Sequence, residues 1–552
     1  MAEMPRDEVG RVWWRDGVLY QIYPRSYRDT NADGIGDLRG IVEKLDHLQW
    51  LGVDGIWLDP ITVSPDADWG YDVADYCDVN PPLGTLADAE TLVDEAARRN
   101  IRVILDIVPN HTSDQHPWFL DARSSRDARS RDWYVWADPK PDGSPPNNWT
   151  NCFHPGRPAW TFDEPSGQYF LNHFLPSQPD LNWWNDEVRD EFDRILRFWF
   201  DRGVAGFRID VCHMIVKDKL LRDNPPSTAD DHWFVQMQGQ RQVYNANRPE
   251  VHDVLRRWRA IADSYDPKRI LVGETYVLEP ELFAKFYGHG DELNLAFNFM
   301  LLHSEFDGLH LRAAVENAER LLPADCWPVW TGGNHDNNRF PTRWAKNDPL
   351  RTRAALFLLL TLRGTPFLYY GDELGMPDTD VPTDRILDPV GHFHGPSLAR
   401  DPERTPMPWT GEPGAGFTAP GVEPWLPFGD IAGCNVASQR HEPTAVLALA
   451  RDLISLRDAI PDLARGEYRT DPRSNETRWV FRRGERVLVA INFSAEETTL
   501  NVVQGLVRIG TDRSRDDLRV EGELLLGPWE GAIVWLDQAF GAGTETGSAT
   551  RG

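Results

Sequence analysis

Three short apolar runs in this chain each stop at a carboxylate: Ala205-Gly206-Phe207-Arg208-Ile209-Asp210, Ile270-Leu271-Val272-Gly273-Glu274 and Val329-Trp330-Thr331-Gly332-Gly333-Asn334-His335-Asp336. The acids recur at roughly sixty-residue intervals, about two βα units. A parallel barrel builds its site at the C-terminal ends of its strands, so this spacing gathers the three carboxylates at one mouth. Acids collected there are the equipment for proton transfer and nucleophilic attack on an acetal.

Strand-like and helical patterns alternate from residue 18 to about residue 460. Val18–Tyr23 reads as a first strand, and Leu38–Leu51 follows with Leu38, Ile41, Leu45, Leu48 and Leu51 at helical spacing. Further strands begin near 55, 101, 205, 270, 295, 328 and 366, with helices at 86–99, 188–200, 251–262, 311–322, 351–362 and 445–456. Eight such units predict an α/β fold, a closed (β/α)8 TIM barrel. Residues 110–180 break the rhythm with Pro, Asn, Asp and aromatics, too long for a bare connection, and read as a small domain inserted after strand 3. From about Gly466 short alternating segments predict a C-terminal antiparallel β domain. The expected division is therefore 1–109 and 181–465 for the barrel, 110–180 for the insert, 466–540 for the β domain and 541–552 for a disordered tail. Residues 376–430 read as long loops over the barrel mouth.

The 552 residues exceed one ordinary core, and 41% hydrophobic content supports a large interior. A formal net charge of −28 repels nucleic acid and anionic membranes, which are excluded as partners. Cys77, Cys152, Cys212, Cys326 and Cys434 are scattered, odd in number and without C-x-x-C spacing, so they predict neither a disulfide framework nor a zinc site. With no apolar leader in MAEMPRDEVGRVWW and no stretch of membrane-spanning length, a cytoplasmic location is expected. The 23 tryptophans suit both a core and the faces of sugar rings.

Arg208 and Asp210 alternate on one strand and so share a face, where the arginine should keep the carboxylate ionised as a nucleophile requires. Glu274, closing a buried run, sits in the desolvated setting that suits a general acid. His335 and Asp336 add a donor and a third acid, while Asp106, Asn110 and His111 supply a polar cluster at the end of strand 3. Separately, Asp29, Asn31, Asp33 and Asp37 form D-x-N-x-D-G-x-G-D, alternating oxygens that read either as a cation loop or as an Asx-turn loop. It is not an EF-hand, since the twelfth position is Gly40.

The segments DIVPNH (106–111), GFRID (206–210), VGET (272–275) and NHD (334–336) resemble the four signature regions of the α-amylase superfamily of glycoside hydrolases, family 13. QPDLN (178–182) and RTPMPW (404–409) narrow the resemblance to the oligo-1,6-glucosidase and α-glucosidase branch. The resemblance implies Asp210 as nucleophile, Glu274 as acid/base and Asp336 as the acid that holds sugar hydroxyls and favours ring distortion. It further implies His111, Arg208 and His335 as hydrogen-bonding residues around the cleaved glucose, Tyr71 stacked beneath it, and Asp68 with Arg400 closing the pocket's end. Such an end wall makes an enzyme exo-acting. A structural Ca2+ or Mg2+ in the loop after strand 1, held by Asp29, Asn31, Asp33, the Ile35 carbonyl and Asp37, is implied too, with no organic cofactor.

Val211 follows the nucleophile, and in this branch Val there accompanies α-1,6 linkages. A methyl-scale difference beside the leaving group changes preference by about 1–3 kcal/mol. The expected activity is that of an exo-acting retaining α-glucosidase releasing glucose from short α-glucosides with an α-1,6 preference. The alternatives are an α-1,4- or sucrose-active α-glucosidase, and a transglucosylase or sucrose isomerase using the same covalent intermediate. A non-catalytic transporter heavy chain of the same architecture is disfavoured, because the carboxylates are present. The expected partner is a small oligosaccharide or α-glucoside, and the expected assembly a monomer or homodimer.

Overall fold

The computed structural model describes residues 10–323 and 325–540. The tail expected to be disordered, 541–552, lies outside them. Eight parallel strands form one sheet: β1 (Leu19–Ile22), β2 (Gly55–Leu58), β3 (Arg102–Ile107), β4 (Gly206–Ile209), β5 (Ile270–Gly273), β6 (Leu295–Ala296), β7 (Val329–Thr331) and β8 (Thr365–Tyr369). Their spatial order is β6-β5-β4-β3-β2-β1-β8-β7, and the parallel bridge between Phe297 and Val329 closes the ring. Each strand is apolar along most of its length because a barrel strand is buried on both faces. The interior is plugged by Leu19, Trp57, Ile104, Ile270, Leu295 and Val329, among others.

The helices start where side chains can satisfy orphan amides. Asp37 accepts from the Gly40 N–H at the head of Leu38–Leu51, which ends on left-handed Gly52 (φ 95°). Thr85 and Asp88 form a reciprocal capping box at Leu86–Arg98. Pro349–Thr361 is the exception to amphipathicity: Ala354 through Thr361 are all buried. Its outer side is covered by the C-terminal sheet, where a Cβ on Gly531 would come within 2.6 Å of Phe357. A helix covered on every side needs no polar stripe.

That sheet is antiparallel and six-stranded, in the order Tyr468–Thr470, Arg478–Arg483, Val487–Asn492, Gly531–Leu536, Thr498–Gly510 and Arg519–Leu526. Val487–Asn492 is buried at every position. Val487, Val489 and Ile491 feed the main core, while Leu488 and Ala490 feed a second core on the sheet's far side. After β3 the chain builds a three-stranded antiparallel sheet from Trp136–Ala137, Gln168–Leu171 and Trp160–Asp163. Asp180, fully buried, takes His173 Nδ1 at 2.7 Å within this region and pins it to the loop after β4 through Lys217 Nζ at 2.8 Å. Among the described residues no helix is long and apolar enough to cross a membrane.

Candidate active site

Strand register places the first contacts. Asp106 on β3 pairs with Arg208 on β4, and Arg208 pairs with Val272 on β5, two residues before Glu274. Arg208 caps the apolar plug, its guanidinium carbon 5.0 Å from the Trp57 ring centroid. One guanidinium then serves three acids: Nη1 donates to Asp106 Oδ1 at 2.9 Å and to Asp210 Oδ1 at 2.8 Å, and Nη2 donates to Glu274 Oε2 at 2.7 Å. Glu274 Oε2 also accepts from the Val211 N–H at 2.9 Å.

That second donor depends on an unusual backbone. Val211 sits at φ 33°, ψ 45°, the left-handed region that a β-branched side chain avoids. Such strain costs of order 1–3 kcal/mol and persists only where the surroundings over-determine it. Here the turn aims the Val211 N–H at Glu274 and the Asp210 carboxylate into the cavity.

The charges do not follow the simple expectation for an Arg–Asp pair. Burial raises Asp210 well above the usual carboxylate range, and Glu274, Asp106 and Asp336 add to the rise that Arg208 opposes. Arg208 does pull Asp210 down, as the pairing predicts, but burial first and the neighbouring acids second outweigh it, so the expectation of a net depression is corrected. Asp106, buried beneath, is pushed up to about 7 by burial against the pull of Arg208. Asp336 goes the other way. Burial would raise it, yet His335, Arg400 and Arg404 hold it well below the usual range.

A second ion cluster closes the far end. Arg400 Nη1 donates to Asp336 Oδ1 at 2.9 Å and Nη2 to Asp68 Oδ1 at 2.8 Å. Asp388, fully buried, takes Arg400 Nη2 at 2.6 Å, Nε at 3.0 Å and the Arg400 N–H at 2.9 Å. Asp68 is raised by burial against the pull of Arg400. Its other oxygen accepts from Gln178 Nε2 at 3.0 Å. Tyr71 stacks on His335 with rings 5.2 Å apart and 3° from parallel, and its hydroxyl lies 2.6 Å from His335 Nε2. Gln21 Nε2 lies 2.8 Å from His335 Nδ1 and donates to Asp59 Oδ1 at 2.9 Å.

These groups surround a cavity of about 320 Å³. Asp68, Tyr71, His111, Asp210, Val211, Glu274, Asp336 and Arg400 all line it. Arg208 and His335 lie just beneath that lining, 2% and 1% exposed, and act on it through the acids they hold. Burial lowers both His111 and His213 to about 4, so each is a neutral imidazole at neutral pH.

Asp59, Gln21, Gln178, Asp388 and Arg404 were not among the expected site residues. Asp59 closes the apolar run Gly55-Ile56-Trp57-Leu58 and carried the same acid-ended signal as Asp210. Gln178 and Arg404 lie inside QPDLN (178–182) and RTPMPW (404–409). Asp388 sits in an irregular stretch with no periodic signal.

Residues 21–466 match the profile of the α-amylase catalytic domain. The chain belongs to the α-amylase family. Among similar proteins, a probable α-glucosidase of Rhizobium meliloti is 39% identical over 508 residues, covering 89% of this chain and 91% of that protein. An oligo-1,6-glucosidase of Heyndrickxia coagulans is 35% identical over 571 residues, covering 95% of this chain and 100% of that protein. The crystal structure of the α-glucosyl transfer enzyme XgtA superposes with a TM-score of 0.88 at 38% identity, covering 95% of this chain and 99% of that one. This α-amylase family chain is a glycoside hydrolase of the α-glucosidase type.

The 29–37 loop lies away from this pocket. The amides of Asn31, Ala32 and Gly34 and the Thr418 hydroxyl all donate to Asp29, and Asp37 accepts from the Thr30 and Gly40 amides. Ala32 (φ 64°) and Gly34 (φ 88°) wrap the chain around Asp29. Asn31 and Asp33 remain at the exposed rim with the Ile35 carbonyl between them and Asp37 in sequence. The oxygen-rich donor set suits a hard cation, although Asp29 is already well satisfied by the loop itself. Among the described residues, the group of three His, Cys, Asp or Glu ligand atoms lying within 4.8 Å of one another is a different one, Glu305, Asp307 and His310, which is largely exposed.

Proposed function

We propose that Asp210 is the nucleophile, Glu274 the acid/base and Asp336 the transition-state binder in a retaining cleavage of terminal α-glucosides. The observation that carries this reading is the shared guanidinium. Arg208 holds Asp210 and Glu274 on adjacent nitrogens, the close juxtaposition a retaining pair needs, about 5 Å between carboxyls. Glu274 protonates the leaving oxygen as Asp210 forms the bond to C1. Glu274 then takes a proton from the water that releases glucose. The surplus of acid over base around C1 is neutralised as the sugar acquires oxocarbenium character.

Asp68 and Arg400, the latter held in place by Asp388 behind it, form the wall that restricts the site to one terminal glucose, supporting exo action. His111 and Tyr71 border the same glucose position, and Val211 faces the leaving group, where its bulk favours the α-1,6 entry angle. Product analysis on isomaltose, maltose, sucrose and trehalose tests the substrate reading. Glucose should be the main product and should appear first as the α-anomer; initial release of β-glucose would overturn the retaining mechanism.

A Ca2+ or Mg2+ in the 29–37 loop is part of this proposal, with Asn31, Asp33, Asp37 and the Ile35 carbonyl as its ligands beside Asp29. It would tie β1's loop to Thr418 and leave the chemistry untouched. Chelation should lower the unfolding temperature while leaving KM unchanged, and an identical melting curve with and without chelator removes the ion from the account. A cytoplasmic setting fits the five free cysteines.

A further inference from the structure

Two buried polar residues at the barrel mouth reach the site from behind, outside the lining of its cavity. They are Gln21 on β1 and Asp59, just past β2. The β1–β2 register pairs Gln21 with Trp57, and Asp59, two residues beyond Trp57, takes the same face. Gln21 Nε2 donates to Asp59 Oδ1 at 2.9 Å and Oδ2 at 3.0 Å, and the same nitrogen lies 2.8 Å from His335 Nδ1. Asp59 Oδ1 is itself 3.2 Å from Nδ1, farther off than the amide.

His335 lies between two tyrosine rings, Tyr71 with its centroid 5.2 Å away and Tyr23 at 6.2 Å. Stacking fixes the plane of the imidazole but not which nitrogen carries the hydrogen; the partners at the ring's edges decide that. Nε2 lies 3.1 Å from Asp336 Oδ2, on a carboxylate that also accepts from Arg400 Nη1 at 2.9 Å and Arg404 Nη2 at 3.0 Å. Two guanidinium groups keep that acid ionised, and a lone pair on Nε2 would be repelled by it, so Nε2 carries hydrogen. The Tyr71 hydroxyl, 2.6 Å from Nε2, accepts there and donates to Asp106 Oδ2 at 3.1 Å. At the other edge, Asp59 selects the orientation of the Gln21 amide, because an amide oxygen in place of Nε2 would face both carboxylate oxygens. The donating amide then needs an acceptor, which Nδ1 is only while it carries no hydrogen.

We propose that Gln21 and Asp59 are positioning residues that hold His335 in the tautomer with hydrogen on Nε2, so that the ring keeps Asp336 aimed at the sugar. This rests on the reading of Asp336 as the transition-state binder. Asp59 orients Gln21, Gln21 donates to Nδ1, and Nε2–H donates to Asp336. Without the Gln21 donor the hydrogen is free to sit on Nδ1, where Asp59 Oδ1 accepts it. Nε2 then turns a lone pair on Asp336, and the carboxylate is pushed from the place where positive charge develops on the sugar.

The test is steady-state kinetics of the full-length protein on isomaltose. Gln21→Met, which keeps the length and removes the donor, should lower kcat about tenfold, the scale of one hydrogen bond, with KM changed much less. In a His335→Gln background there is no Nδ1 for Gln21 to reach, and the same substitution should cost less than about threefold. Asp59→Asn keeps an oxygen that accepts from Gln21 and should restore most of the activity that Asp59→Ala loses; this pair serves if Gln21→Met fails to fold. An equal cost of Gln21→Met in both backgrounds would make Gln21 a packing residue and overturn the proposal. Asp59→Asn as damaging as Asp59→Ala would mean that the carboxylate takes the hydrogen of Nδ1 directly, which overturns the tautomer. In either case the unaltered protein still cleaves isomaltose and the hydrolase reading stands. No turnover of any α-glucoside by the unaltered protein would bring down that reading and the positioning role with it.

Discussion

Arg208 donates from Nη2 to Glu274 at 2.7 Å across the gap between β4 and β5, while its other terminal nitrogen holds Asp210. The side chain therefore bridges the two acids proposed to react, and its fork geometry is what permits it. Arg208→Lys offers a point charge that cannot span both. A fall in kcat/KM of about a hundredfold or more is expected, the scale for losing one preorganised charge contact. Steady-state kinetics on isomaltose check it; a change under threefold would mean the spacing is fixed by the strands alone.

Asp210→Asn should remove turnover by about ten-thousandfold or more. Because burial and three neighbouring acids already disfavour the Asp210 charge, the neutral amide should leave the protein as stable or slightly more so. A melting curve beside the activity assay separates the two effects. Loss of both activity and several degrees of stability would contradict the charge account.

Asp388 touches Arg400 and not the cavity, so it acts by positioning. Asp388→Asn keeps the shape while removing the charge that fixes the guanidinium between Asp68 and Asp336. The expected signature is a KM raised about tenfold, one charge-assisted contact, with kcat changed much less. Equal loss in both parameters would place Asp388 in the chemical step instead.

Val211→Thr or Val211→Ala should move the maltose-to-isomaltose ratio of kcat/KM upward by about tenfold, within the range of a methyl-scale steric contact. Val211→Gly should relieve the left-handed strain and raise stability by about 1 kcal/mol or less, since glycine's own backbone entropy offsets part of the gain. The two readouts, specificity and melting temperature, are independent.

His111 and His213 are buried with pKa values lowered to about 4, against about 6.5 in an unfolded chain. Between those values the unfolded state binds protons that the folded state refuses, so stability is lost as pH falls from about 6.5 to about 4, by about 1.4 kcal/mol per unit per histidine. Asp106 has the opposite sign. Its folded value of about 7 lies above that of a free carboxyl, so its contribution is present in acid and lost as pH rises through neutrality. Melting temperature against pH should show the acid limb, and His111→Gln should make that limb shallower.

The sequence by itself determined the strands, the helices and the three leading acids. Barrel strands are continuous apolar runs, and their helices carry caps such as Asp37 and Thr85, so local residue choice and global fold agree. Acid-ended strands were enough to place Asp210, Glu274 and Asp336 at one mouth, and the same rule applied to Leu58-Asp59 reaches Asp59. What only the tertiary structure decided is how charge is shared. Asp210 is buried, and three acids from β3, β4 and β5 meet one guanidinium, so it moves up where an exposed Arg–Asp pair would move down. Asp388 became visible only once an irregular stretch folded against Arg400. Strand periodicity encodes which face a side chain takes, but a carboxylate's charge state depends on burial and on every neighbour, and those come from segments distant in the chain.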